Sequence, residues 1–166
     1  MEKIFEVPVH CEKATFDFDK AFDGSRGQYG SGVLLQQILS RGAGDGATCI
    51  AVVDVDLFIP VLTFIFGEAQ FGGRASIVSI HRLSNQYYGM PEDGVRLLER
   101  LEKEIIHELG HTFGLYHCHQ FECVMRSSTY VEEIDLKQAM PCHSCAEQLH
   151  SHRHHHPINR SGINPS

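Results

Sequence analysis

Residues 107–118 read H-E-L-G-H-T-F-G-L-Y-H-C, which places three histidines, one glutamate and the first of four closely spaced cysteines in one segment. Three imidazoles beside an unligated carboxylate suit zinc-dependent hydrolysis, because three protein ligands leave one position on the ion for water or substrate. Four thiolates leave no such position. The segment therefore predicts a catalytic and a structural metal site that meet at the His117–Cys118 peptide bond.

The first two histidines lie in a pattern that predicts a long amphipathic helix from Pro91 to Gly114. His107 and His111 are one turn apart on a face of their own, where both can reach one ion. Glu108 lies at the margin of that face, beside the ion but not bound to it, where its carboxylate can act as a base. The opposite, core-facing stripe consists of Leu98, Leu101, Ile105 and Leu109.

Gly114 explains how the third histidine joins the first two. A glycine three residues after His111 can adopt the left-handed conformation that ends a helix and turns the chain, which returns His117 to the metal. Three neutral imidazoles leave zinc with its full double charge, so water should ionise near neutral pH and a carbonyl group should be polarised. Glu108 can then move a proton from water to a leaving amine, which predicts peptide-bond hydrolysis without a covalent intermediate.

Composition limits the other possibilities. A chain of 166 residues fits one domain, and a net charge of -7 without a dense run of Lys or Arg argues against nucleic acid. The N-terminus lacks the basic start and apolar core of a secretory signal, and the longest apolar stretch, residues 57–66, is too short to span a membrane. We therefore expect a soluble, cytoplasmic and monomeric protein.

The expected compartment determines how the cysteines are interpreted. In a reducing environment, C-x4-C and C-x-x-C pairs are better interpreted as thiolate ligands than as disulfides, although some could be ordinary buried thiols. Cys11 and Cys49 stay unassigned. The predicted structural zinc ligands are Cys118, Cys123, Cys142 and Cys145.

The remaining patterns predict an α+β fold, which we expect to be a compact single domain with a mixed sheet of four or five strands. The domain should cover residues 1–149, with an N-terminal part at 1–114, a C-terminal part at 115–149 and a flexible His-rich tail at 150–166. A helix is expected at 31–40, and strands are expected at 3–9, 13–20, 48–55, 62–66 and 75–80.

The extended pattern H-E-x-x-H-x-x-G-x-x-H resembles the metzincin clan of zinc metallopeptidases. The C-x4-C-x-M segment and the later C-x-x-C narrow the resemblance to the archaemetzincin family, as do the stretches VDVDLF, FIFGEA and SIHRL. This resemblance implies a metzincin-like fold with a long active-site helix and a short C-terminal part. It also implies two zinc ions: one on His107, His111 and His117 with Glu108 as general base, and one on Cys118, Cys123, Cys142 and Cys145.

Three further residues can be compared with the family pattern. Met125 matches the methionine that underlies the metal site in the clan. The sixteen residues between Met125 and Cys142 are one fewer than the family spacing, a difference that a loop can absorb. No tyrosine follows two residues after Met125, and Tyr130 is expected to pack without a catalytic role.

The substrate is less well defined than the chemistry. A peptide should add antiparallel to an edge strand, which we expect at 62–66 or 75–80, and small peptides or an aminopeptidase-like preference would suit an unguarded cytoplasmic protease. Two alternatives stay open: a closed-cleft zinc protein that acts as a binding module, and an amidohydrolase that acts on non-peptide amides. Asp54 and Asp56 could be a carboxylate pair beside the cleft, but a polar strand end is the favoured interpretation. Arg100 and Glu104 share the histidine face and could support the site, but a solvated ion pair is favoured.

Overall fold

The computed structural model describes residues 2–5, 7–41 and 47–155. The six described strands and two of the helices lie before residue 80, and the described elements after that residue are helical. A single 3-10 turn of helix at Asn85–Tyr88 precedes the long helix α3. In chain order the elements are α1 (Glu2–Phe5), β1 (Phe22–Asp23), β2 (Gln28–Gly30), α2 (Ser31–Ser40), β3 (Cys49–Val53), β4 (Leu57–Phe58), β5 (Gly67–Ala69), β6 (Ala75–Ser79), α3 (Gly94–Thr112), α4 (Val131–Asp135) and α5 (His143–His155).

The strands form two three-stranded mixed sheets, in the orders β1-β2-β4 and β3-β6-β5. Strand β6 is buried along its whole length, because it pairs in parallel with β3 and antiparallel with β5. Successive side chains of a strand point to opposite faces, so Val78 joins the core beneath α3 and Ile77 joins the core beside α2. This arrangement leaves β5 as the sheet edge nearest to α3.

The predicted α+β class is confirmed, but the described strands form two mixed sheets of three strands in place of one sheet of four or five, and several predicted strands are wrong. The first four described residues form helix α1, and Phe5 stacks on Phe113 with ring centroids 5.1 Å apart. A short apolar run fits a helix or a strand equally well, so periodicity could not decide the matter. Residues 13–20 contain no strand, and residues 62–66 contribute only an isolated bridge between Ile65 and Leu57.

The prediction of the edge strand is also wrong, because β6 lies in the middle of its sheet and β5 at the edge. Helix α3 begins after Asp93, whose side chain accepts a hydrogen bond from the Arg96 N–H at 2.9 Å. Leu98 is 66% exposed and lies outside the core-facing stripe, whereas the partly buried Leu97 and Leu101 pack against the core.

The C-terminal region differs from its prediction at one boundary. Helix α5 continues through His155, so the segment expected to form a tail from residue 150 is helical in its first six residues. The rest of that segment, 156–166, lies outside the described residues. No described helix combines the length and the apolar character that a membrane crossing requires.

Candidate metal centre

Three histidines from α3 and the turn after it gather at one point. The closest ring nitrogens of His107, His111 and His117 lie within 4.8 Å of one another, and the Nε2 atoms of His107 and His111 are 3.1 Å apart. A tetrahedral zinc ion with Zn–N bonds of about 2.0–2.1 Å separates its nitrogen ligands by roughly 3.4 Å. The spacing therefore fits a single zinc ion.

Backbone carbonyl groups fix the tautomers of two of these histidines. His107 Nδ1 lies 2.8 Å from the Val124 carbonyl oxygen, and His111 Nδ1 lies 2.7 Å from that of Leu115. A carbonyl oxygen only accepts hydrogen bonds, so each Nδ1 carries the proton and each Nε2 presents a lone pair. Two lone pairs that face each other at 3.1 Å repel, and a cation between them removes that repulsion.

Burial keeps the three imidazoles neutral. It lowers the pKa of His107 well below its usual value of 6.5, with a further contribution from the charge of Lys137. Partial burial also lowers the pKa of His111, and desolvation by neighbouring groups lowers the pKa of His117, whose side chain is exposed on one side. Neutral imidazole is the form that binds zinc, so the site is prepared for a metal at neutral pH.

The turn after α3 brings the third histidine back, as predicted. Gly114 has φ = 86°, the left-handed conformation, and its N–H donates to the His111 carbonyl oxygen at 3.0 Å. The Leu115 N–H donates to the Gly110 carbonyl oxygen at 2.9 Å, which closes the end of the helix. From there the chain needs two more residues to place His117 beside the other two rings.

Glu108 lies between α3 and the edge strand. Its side chain is almost fully buried, and burial raises its pKa well above the usual value, with Glu104 and Glu68 raising it further. A Cβ atom on Gly67 of β5 would lie 2.7 Å from both Cγ and Oε1 of Glu108. The absence of a side chain at Gly67 therefore allows the carboxylate to pack against the strand backbone.

Met125 packs against the turn of α3 that carries His107 and His111. It is fully buried, and a Cβ atom on Gly110, between His107 and His111 on α3, would collide with its Sδ and lie 2.8 Å from its Cε. The thioether therefore contacts the helix backbone directly, because glycine leaves room for it there. Its position agrees with the sequence prediction of a methionine under the metal site.

The four cysteines form a second cluster. The Sγ atoms of Cys118 and Cys142 are 3.7 Å apart, and those of Cys123 and Cys145 are 3.8 Å apart. Zinc with Zn–S bonds of about 2.3 Å separates its sulfur ligands by roughly 3.8 Å, whereas a disulfide needs about 2.05 Å. The cluster therefore fits a tetrahedral four-thiolate metal site, and all four residues are free thiols.

The backbone around this cluster influences the charge of its thiols. The Cys145 N–H, as a hydrogen-bond donor, lowers the pKa of Cys142 to about 7. Burial raises the pKa of Cys123 and of Cys145. A bound metal ion would supply the positive charge that the buried thiolates need. Cys11 and Cys49 do not join the cluster.

Two short backbone segments connect the clusters. The first is the predicted junction of His117 and Cys118. The Cys118 N–H donates to the Met125 carbonyl oxygen at 2.9 Å. The second runs from Cys123 to Met125, and its central carbonyl group, on Val124, orients the His107 ring. A change in the geometry of the cysteine cluster can therefore reach two of the three histidines.

Sequence reasoning misjudged two charged residues of α3. Arg100 and Glu104 are buried at 2% and 4% exposure, so the prediction of a solvated ion pair is wrong. Arg100 forms a bidentate pair with Asp135 at 2.7 Å and donates to the Leu83 carbonyl oxygen, while Glu104 faces Lys137 at 3.7 Å. The partners belong to segments that cover this face of the helix and that no local pattern identifies.

The structure also defines the contacts and the exposure of Asp54, Asp56 and Tyr130. Asp56 pairs with Arg82 at 2.6 and 2.7 Å, while the neighbouring Asp54 is exposed. Tyr130 is 66% exposed, which shows that its predicted packing role is wrong. It precedes α4 instead, where its N–H donates to the Glu133 carboxylate at 3.1 Å.

One end of the edge strand lies against the end of α3. The loop after β5 reaches the end of α3, where the Gly72 N–H donates to the His111 carbonyl oxygen at 2.9 Å. Next to this bond, Phe71 and Tyr116 pack with ring centroids 4.4 Å apart and stay largely exposed. The edge strand and the segment before His117 are thus joined beyond Ala69.

Comparisons with known proteins agree with this geometry. Residues 41–151 match the model of peptidase family M54. The chain is 40% identical over 134 residues to the archaemetzincin of Thermococcus kodakarensis, covering 80% of this chain and 72% of that protein.

Solved structures give the same result. The zinc-dependent peptidase from Methanocorpusculum labreanum superimposes with a TM-score of 0.82 at 30% identity, covering 89% of this chain and 88% of the other. The archaemetzincin from Methanopyrus kandleri superimposes with a TM-score of 0.73 at 38% identity, covering 81% and 71%.

Proposed function

Because the chain belongs to peptidase family M54 and is a zinc metallopeptidase, we propose that it hydrolyses peptide bonds at its histidine cluster. In this proposal His107, His111 and His117 hold the catalytic zinc, and Glu108 is the general base. The facing Nε2 lone pairs of His107 and His111 carry the assignment, because their carbonyl partners hold both rings in a form suited to a metal ion.

Glu108 moves the proton in the proposed reaction. Zinc, when bound, acts as a Lewis acid that polarises the substrate carbonyl group and lowers the pKa of water. The buried Glu108 carboxylate holds a proton more strongly than an exposed one, so it can take a proton from the attacking water and pass it to the leaving amine. Packing against Gly67 restricts the carboxylate to one position beside the edge strand.

The edge strand suggests how a peptide binds. A substrate that pairs antiparallel with β5 places its N-terminal side toward Ala69, the end at which the strand stops. There the Gly72–His111 hydrogen bond and the Phe71–Tyr116 contact limit the length of chain that can extend beyond the site. This supports a preference for short peptides or for cleavage close to a free N-terminus.

The second zinc ion is proposed for the four-cysteine cluster, with a structural role. Four thiolates fill a tetrahedral zinc ion, so no position is left for water or substrate. Through the His117–Cys118 junction and the Val124 carbonyl group, this ion would help to hold two catalytic ligands in place.

Metal content and turnover of the full-length protein test the proposal. The five histidines between residues 150 and 156 are replaced by Gln, because they could bind metal on their own. We expect two zinc ions per chain, cleavage of short free peptides and slower cleavage of the same peptides when N-acetylated. Glu108→Ala should keep both ions and lose about 10²–10⁴-fold in kcat.

Glu102→Ala is the matched control, since it removes an exposed glutamate from the same helix and should leave kcat unchanged. Two zinc ions without turnover of any peptide or amide would favour a closed-cleft binding protein. Glu108-dependent turnover restricted to non-peptide amides would favour an amidohydrolase. Either result would refute peptide hydrolysis at this site.

A further inference from the structure

Lys137 is a buried lysine at the junction of the two metal clusters. Its side chain is 1% exposed, and its Nζ lies 3.7 Å from Glu104 Oε1 and 3.5 Å from the Val124 carbonyl oxygen. Burial of an ammonium group without good partners is strongly unfavourable, so these two contacts need an explanation.

The Val124 carbonyl group receives two donors. One is the Lys137 ammonium group and the other is His107 Nδ1 at 2.8 Å. The backbone around the lysine is held independently of its side chain, because the Gln138 N–H donates to the Glu122 carbonyl oxygen and the Val124 N–H to that of Met140. These backbone bonds place the lysine, whose ammonium group in turn donates to the Val124 carbonyl oxygen.

The lysine also lies beside two buried carboxylates. Glu104 and Glu108 are four residues apart on α3, so they occupy the same face one turn apart, and each is at most 5% exposed. Like charges at this spacing repel, and Lys137 is the cation that opposes both of them. The 3.7 Å separation from Glu104 is too long for a hydrogen bond, so this contact is an electrostatic one.

We propose that Lys137 is a positioning residue for the catalytic zinc site, a role that rests on the proposed function of that site. It fixes the Val124 carbonyl group that orients the His107 ring, and it offsets the charge of Glu104 one turn before Glu108. Among the described hydrogen bonds, none joins Lys137 to a histidine nitrogen, so it acts through these neighbours and through its own charge.

Lys103 provides a matched control. It also joins α3 to the segment that covers it, donating to the carbonyl oxygens of Ile134 at 3.1 Å and Asp135 at 3.2 Å. Neither carbonyl group contacts a histidine of the cluster. A lysine that only stabilises the packing of the C-terminal segment should therefore resemble Lys103 in its effects.

The experiment compares Lys137→Met, Lys103→Met and the double variant Glu104→Gln/Lys137→Met in the full-length, zinc-loaded protein with Gln at the tail histidines. Zinc release to a chelator, the ¹H–¹⁵N signal of His107 Nδ1–H, and kcat and KM on a short peptide are measured. In Lys137→Met we expect release from the histidine site to be about 10–100-fold faster, as for other residues that support a metal ligand. The His107 signal should move, and kcat should fall by the same factor as kcat/KM.

The double variant separates positioning from folding. Glu104→Gln removes the carboxylate left without a cation, so the double variant should regain thermal stability while zinc release stays fast. Unchanged zinc release and an unchanged His107 signal in either Lys137 variant would overturn the proposal, as would equal effects in Lys103→Met. If the parent protein cleaves no peptide, the proposed reaction fails, and the zinc and NMR measurements still decide the role of Lys137.

Discussion

Replacing Gly67 by Ala should displace the general base without touching a metal ligand. The new methyl group would lie 2.7 Å from Glu108 Cγ and Oε1 and 2.8 Å from the Ile77 carbonyl oxygen. Ordinary contacts between such atoms are about 3.5–4.0 Å, so strand and carboxylate must separate by roughly 1 Å. A misplacement of about 1 Å can cost around 100-fold in rate, which corresponds to about 2.7 kcal/mol in the activation free energy.

The effect on stability should be smaller. Crowding a well-packed site costs about 1–3 kcal/mol, and replacing a strand glycine by alanine returns about 0.5–1 kcal/mol through reduced backbone entropy. We expect a net loss of about 0–2.5 kcal/mol in the free energy of unfolding. Since the variant changes no ligand, it should still bind two zinc ions.

The assay measures kcat/KM on a short peptide, zinc content and urea unfolding for Gly67→Ala and for Gly32→Ala. A Cβ atom at Gly32, in α2, would meet no atom within 4 Å. That control should gain about 0.4–1 kcal/mol in stability and keep its activity. If Gly67→Ala retains kcat/KM within about twofold of the parent, the reasoning is refuted, because a base packed on β5 could not tolerate the methyl group.

Three other perturbations have defined outcomes. Gly110→Ala gains about 1 kcal/mol of helix propensity but forces Met125 away from the helix at a cost of about 1–3 kcal/mol. A raised melting temperature would contradict the contact between Met125 and Gly110. Cys142→Ser should lose one zinc ion and weaken zinc binding at the histidine site by about tenfold; equal affinity in parent and variant would exclude coupling between the clusters. In the metal-free protein, the lowered pKa of His107 gives stability that is present above pH 6.5 and is lost as the pH falls further. Between pH 7.5 and 5.5, urea unfolding should therefore show a steeper loss of stability in the metal-free parent protein than in metal-free His107→Gln. Parallel curves of the free energy of unfolding against pH would argue against the lowered pKa of His107.

Local patterns predicted the site because its geometry depends on short spacings. His107 and His111 share a helix face by periodicity alone, and a glycine three residues later can adopt φ = 86° where other residues would be strained. The same holds for the cysteine pairs, whose members are separated by four and two residues. Each of these constraints acts within about ten residues of chain.

Burial of charge could not be predicted in this way. Arg100 and Asp135 are 35 residues apart, and Lys137 meets Glu104 from a segment that follows both cysteines of the first pair. The face of α3 that carries them looks solvated in isolation, since Arg and Glu at a spacing of four commonly form exposed pairs. Residues 131–137 and the segment at Leu83 pack against the helix and turn this face into an interior.

The edge strand illustrates a second limit. The two segments predicted to supply the edge, 62–66 and 75–80, are strongly apolar, whereas an edge strand needs apolar side chains on one face only. The true edge, Gly-Glu-Ala at 67–69, is short and weakly apolar, and its glycine is required by Glu108 rather than by the sheet. Hydrophobicity thus identified the centre of the sheet and missed the strand that borders the site.

The sulfur cluster also affects the unfolded chain. Zinc held by Cys118, Cys123, Cys142 and Cys145 would act as a reversible cross-link that closes a loop of about 28 residues, whose only described helix or strand before α5 is the five-residue α4. A cross-link over such a loop removes conformational entropy from the unfolded ensemble equivalent to roughly 3.5 kcal/mol. A segment with so little regular structure can thereby hold a fixed shape, and a chelator that removed this one ion would release it.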